Sequence, residues 1–275
     1  MTAIVPSVPT QIVQTFTAPT DGAIANALSV NTAFQALENS AEALRYLTYG
    51  GGFRRRLAAT SNTVMVIQPL GAVVVLVAGV WTVVPHTVAT TINPLALAGG
   101  TFAASTRYYV YVNVVAGALV WSVSTTAPDV GLRYKVGDEQ YQFVTTFRTD
   151  NGATLIQYTQ DDNIYTYSGL YVPGTVNGNL ILNEGHATVT TIVNFGTVAP
   201  SAASRVDYAL TVQGVAPFFG QAADAGSANP RVAGGGDGTV ATLFSGQAYT
   251  TGTAVEYKVD NAATAAWIWV TGFTY

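Results

Sequence analysis

From Gly50-Gly51-Gly52 onward the chain is a succession of short runs rich in Val, Thr, Ile, Tyr and Phe, each bounded by Gly, Pro, Asn or Asp. β-Branched and aromatic side chains suit a pleated, half-buried surface, and the bounding residues are those that tight turns require. No second amphipathic helical pattern follows. The chain is therefore predicted to be mainly β, built from antiparallel strands joined by hairpins.

Particular stretches give this reading its positions. "TTFRTDNGATLIQY", residues 145–158, sets Asp150-Asn151-Gly152 between two β-prone runs and predicts a hairpin. Ala116-Gly117 and Asn177-Gly178 predict two more, and further strands are expected at 186–195, 205–213 and 253–259. "GQAADAGSANPRVAGGGDG", residues 220–238, reads as a loop. The apolar segment from Val64 to Val84 is long enough to test as a membrane span. Pro69 would break a helix and the valines favour strands, so the segment is read as buried strands with no membrane insertion. At the end, "WIWVTGFTY" alternates, which would put Trp267, Trp269, Phe273 and Tyr275 on one side of a strand and Ile268 and Val270 on the other. Such rings either fill a core or subunit interface or stack on saccharide and partner surfaces.

One helical period stands before the triple glycine. Val30, Phe34, Leu37, Ala41 and Leu44 follow a 4-3-4-3 spacing that places them on a single stripe. A stripe this short needs a partner, either the β-region of its own chain or copies of itself, which makes these five residues the candidate oligomer interface. "MTAIVPSVPTQIVQTF" ahead of it lacks a basic region and is interrupted by Pro6 and Pro9, so it reads as an extended arm rather than a secretory signal.

Composition sharpens the point about partners. Only 9% of residues are charged, against roughly 25% in an ordinary globular domain. A surface so neutral is expected to meet other protein. The net charge of −4 and the single basic cluster Arg54-Arg55-Arg56 give no footprint for nucleic acid.

Chemistry finds little to stand on. With no cysteine there is neither a disulfide scaffold nor a thiolate metal site, and His86 and His186 lack neighbouring ligands at metal spacing. Asp161-Asp162 could supply a carboxylate for glycoside hydrolysis, yet "TQDDNIYTY" is where a turn needs Asp and Asn. Arg148 and Asp150 read as a strand end and a turn former. "AGGGDGT" lacks the lysine of a phosphate loop, and no Gly-x-Ser-x-Gly elbow is present. No catalytic residue, cofactor or metal is expected.

Two segments carry a resemblance. "PTDGAIANALSVNTAFQALENSAEALRYL" resembles the N-terminal segment of tailed-bacteriophage fibre and appendage proteins. "YYVYVNVVAGALVWSVSTTAPDVGLRYKVGDEQYQFVTTFRTDNGATLIQY" is similar to a β module recurring in such proteins, through its aromatic strand, "STTAPD" turn and "KVGDEQY" connector. The resemblance implies a non-enzymatic virion protein assembled in the host cytoplasm, a homotrimer that joins other virion proteins through its N-terminal part. The expected organisation is an arm and helix at 1–52, a β-module at 53–160 and a second at 161–275, each β-module an antiparallel sandwich or jelly roll. The alternative is a receptor-binding fibre that holds host cell-surface saccharide on Trp267, Trp269, Phe273 and Tyr275.

Overall fold

The computed structural model describes residues 55–275 except 79, 130, 170–177, 197, 201, 214–216, 223–230, 236–241, 250–253 and 260. The arm and helix at 1–52, with Val30, Phe34, Leu37, Ala41 and Leu44, lie outside the described residues, as do Arg54 and Asn177.

The chain is mainly β, as its residue pattern predicts. In order it forms β1 (Arg56–Ser61), β2 (Val64–Ile67), β3 (Gly71–Val77), β4 (Val80–His86), β5 (Thr90–Ile92), a single-turn helix α1 (Pro94–Leu97), β6 (Arg107–Val115), β7 (Ala118–Ser124), β8 (Tyr134–Lys135) and β9 (Asp138–Arg148). Then follow β10 (Tyr158–Asp161), β11 (Ile164–Tyr167), β12 (Leu180–Gly185), β13 (Thr191–Asn194), β14 (Arg205–Gln213), β15 (Pro217–Ala222), β16 (Arg231–Gly235), β17 (Thr242–Tyr249), β18 (Ala254–Val259) and β19 (Ala265–Thr274). The Val64–Val84 segment is β2, β3 and β4, and no described helix is long and apolar enough to cross a membrane.

Two compact units emerge, and they interleave along the chain. One takes residues 66–99 and 108–146; the other takes 56–65, 100–107 and 147–275. Each unit is thus built from segments that are not contiguous in sequence. β1 pairs antiparallel with β10, Ala59 opposite Tyr158, so the first strand after the arm belongs with the C-terminal half.

In the first unit, β3 and β4 form a hairpin and the other sheet runs β7-β6-β9-β8. The β6–β7 hairpin turns through Ala116 and Gly117, both at positive φ (49° and 79°), which is the geometry that matches the twist of paired strands. β3 is buried along Gly71–Val75. Its Val74 makes side-chain bonds where a further strand would pair. The Val74 N–H donates to Gln142 Oε1 at 2.7 Å, and the Tyr134 hydroxyl donates to the Val74 carbonyl at 3.1 Å. Burial raises the Tyr134 pKa well above the usual phenol range, so the hydroxyl keeps the proton it donates.

In the second unit, a sheet runs β17-β14-β19-β11-β10-β1, and a smaller one runs β13-β18-β15-β16. β19 is the central strand. β14 occupies one of its edges, while β12 and β11 share the other. Both edges filled and both faces covered fit the almost wholly apolar "AAWIWVTGFT", whose two threonines are its half-buried positions. Where β12 gives way to β11, Asn179 closes the gap. Its Nδ2 donates to the Val270 carbonyl at 2.8 Å, and its own carbonyl accepts the Val270 N–H at 2.9 Å. The strand expected at 205–213 is β14, and 253–259 corresponds to β18. The stretch 220–238 is in part strand, because β15 runs to Ala222 and β16 holds Arg231–Gly235 against it.

Alternation fails on β19 at one point. Asp207 pairs with Gly272 and Tyr208 with Val270, so Thr271 is an extra residue in the strand. Paired residues share a face, and Ala209 pairs with Trp269 whereas Val206 pairs with Phe273. Phe273 therefore lies with Ile268 and Val270, on the face opposite Trp267 and Trp269. The single aromatic row expected from the sequence is two rows, split by a bulge.

Candidate functional site

Trp267, Trp269 and Phe273 are buried, with Trp269 at 0% exposure, so they present no open ring face. Trp269 and Trp267 pack with Ala265 and Leu180. Phe273 stacks on Tyr165 at 4.4 Å, Tyr165 stacks on Tyr158 at 5.8 Å, and the Arg107 guanidinium lies 5.4 Å from the Phe273 ring. Tyr275 is half-buried against Phe273 and Tyr165. Core packing accounts for the C-terminal aromatics, and the saccharide platform sought in them lacks accessible faces at three of its four positions.

The polar candidates resolve into turns and supports. Asp162 has positive φ (58°) in the two-residue loop between β10 and β11, and Asp161 pairs with Arg56 at 3.5 Å on the surface. Asp150 Oδ1 accepts the Gly152 and Thr154 N–H groups, at 2.9 and 2.8 Å, and nucleates the turn after β9. The second arm of that predicted hairpin is a single bridge, Thr149 to Leu155, rather than a strand. Arg148 is buried and donates to the Gly178 carbonyl at 2.8 Å. His186 is exposed and donates through Nδ1 to the Thr264 carbonyl at 2.9 Å. Of the basic cluster, Arg55 stacks over Phe143 at 5.6 Å.

A cleft of about 490 Å³ opens beside Leu76, Ala78, Asp129, Tyr134, Asp138 and Glu139. Its two aspartates serve local turns. Asp129 Oδ1 accepts the Arg133 and Tyr134 N–H groups, and Asp138 Oδ1 accepts that of Gln140. Among the described residues no group of three or more His, Asp or Glu is placed to hold a metal ion.

What stands out is the character of two sheet edges. β7 ends its sheet and pairs with β6; β13 ends the smaller sheet of the second unit and pairs with β18. Neither "ALVWSVS" nor "TIVN" contains a charged residue. Both turn aliphatic side chains to solvent. Val120 is 42% exposed and Val115, at the end of the neighbouring β6, 52%; Ile192 is 59% exposed and Val189, just before β13, 71%. Soluble monomers guard terminal strands with lysine, proline or inward charge, because an unguarded edge pairs with another chain. Among the described residues, neither strand holds a lysine, a proline or an inward charge. Sequence reasoning pointed to a neutral surface without placing it, since which strands are terminal depends on pairings far apart in the chain.

Comparison with known proteins returns no matching family model, no matching curated protein and no matching solved structure.

Proposed function

We propose that this chain is a non-enzymatic structural subunit of a phage-like virion, a component of a tail fibre, collar or other appendage that works by homo-oligomeric assembly and docking to the particle. The observation that carries this reading is the pair of uncharged, aliphatic terminal strands, β7 and β13. A chain with 9% charged residues has little electrostatic repulsion to keep such edges apart. Pairing with sister chains would cover the aliphatic side chains and complete the ladders. The two fibre-like sequence segments supply the virion context, and the first of them would be the docking end. Asp129 and Asp150 bond backbone N–H groups of turns and Arg148 bonds the Gly178 carbonyl, roles that suit a scaffold. Introducing a single charge into each terminal strand and determining the assembly state tests the proposal.

A further inference from the structure

Asn151 and Gly152 are both exposed in the turn that follows β9. Glycine has no Cβ, so the amide nitrogen after Asn151 is unhindered for approach to the Asn151 side-chain carbonyl carbon. Among the described residues, the only atom beyond the adjacent ones within 4 Å of where a Gly152 Cβ would stand is Asp150 Oδ1, at 3.4 Å. That same oxygen accepts the Gly152 N–H at 2.9 Å. From the other side, Ser105 Oγ donates to Asn151 Oδ1 at 3.3 Å, and the Ser105 N–H is tied to the Asp150 carbonyl at 2.8 Å. A nucleophile, a base touching its proton and a donor on the electrophile's oxygen therefore meet at one dipeptide.

We propose that Asn151-Gly152 is a self-modifying site, at which Asn151 cyclises onto the Gly152 nitrogen and loses ammonia. The nitrogen attacks Asn151 Cγ and the N–Cγ bond forms. Asp150 takes the proton that the nitrogen gives up, and the Ser105 hydroxyl stabilises the charge growing on Oδ1. The Cγ–Nδ2 bond then breaks, and the departing ammonia carries away the proton from Asp150. Water opens the succinimide at either carbonyl and leaves aspartate or isoaspartate at position 151. The balance is one water consumed and one ammonia released, with no oxidant or reductant. The product gains one negative charge in a chain whose formal charge is −4, and the isoaspartate form lengthens the turn by a methylene. This proposal does not depend on the structural role argued above.

The test uses the purified full chain, aged at neutral pH in heavy-oxygen water and mapped by peptide mass spectrometry. The second Asn-Gly pair of the sequence, Asn177-Gly178, is the internal comparator. The expected result is label at residue 151, accumulating faster than at 177 and faster in the folded chain than in the same chain in urea. Asp150→Asn and Ser105→Ala should each slow it several-fold. The Ser105→Ala variant keeps the test open should Asp150→Asn disturb the turn. An Asn151 that stays amidated, reacts no faster folded than unfolded, or ignores both substitutions overturns the proposal.

Discussion

The Nδ1 of His86 accepts the Leu70 N–H at 3.1 Å, which fixes the imidazole proton on Nε2, 2.9 Å from the Thr90 hydroxyl. The ring is buried and meets Trp121 edge-on at 5.5 Å. Burial lowers its pKa below the usual 6.5. In the unfolded chain the same group takes up a proton more readily, so the neutral ring contributes stability that is fully present above 6.5. That contribution falls as pH drops through 6.5 toward the lowered folded value, where protonation also displaces the Leu70 N–H. Melting temperature scanned from about pH 8 to about pH 5 should fall on the acid side, and His86→Asn should flatten that part of the profile. An unchanged slope in the variant would exclude His86 as its source.

Gly272 is fixed by backbone proximity. A Cβ there would press on the Tyr165 carbonyl oxygen, where β11 lies against β19. Gly272→Ala is expected to cost about 1–3 kcal/mol or more, because the obstacle is main chain and cannot rotate away. Urea unfolding measures this, and a midpoint equal to that of the parent would refute the close approach.

Removing Gln142 should unmask a buried donor. Gln142→Ala leaves the Val74 N–H without its side-chain acceptor inside the first unit, at an expected cost of about 1–3 kcal/mol. Val74→Ala, which keeps the bond and trims only the side chain, separates the two contributions. A Gln142→Ala variant as stable as the parent would show that this bond contributes nothing.

Trp269→Ala should act on stability rather than on recognition. Truncating a fully buried tryptophan costs about 3–5 kcal/mol, mostly through the cavity left beside Leu180 and Trp267. A variant that folded normally and lost only affinity for a saccharide panel would instead favour the receptor-binding alternative.

Local chemistry made much of the architecture legible. β14 and the turn at Ala116-Gly117 were readable because each is dictated by a run of strand formers or by positive-φ residues. The Asp150 and Asp162 turns were readable for the same reason, which is why the catalytic reading of the carboxylates carried little weight. The Thr271 bulge was not, since nothing in "WIWVTGFTY" distinguishes an extra residue from a regular one until β14 is set beside it. The interleaving of the units was hidden likewise, because β1 and β10 meet across about a hundred residues of chain. The burial of Trp269 was half legible: the alternation marked a strand, but only the burial of residues on both of its faces in the folded chain shows that neither face is open.

The most direct test of the assembly account is native mass, measured on the full chain and on a Val120→Lys, Ile192→Lys double variant. Both substitutions fall on exposed positions of terminal strands, so each subunit should keep its fold and unfolding midpoint. The account predicts a defined homo-oligomer for the parent and smaller species for the variant, with unchanged circular dichroism. A parent that runs as single chains at high concentration, or an oligomer indifferent to both lysines, contradicts it.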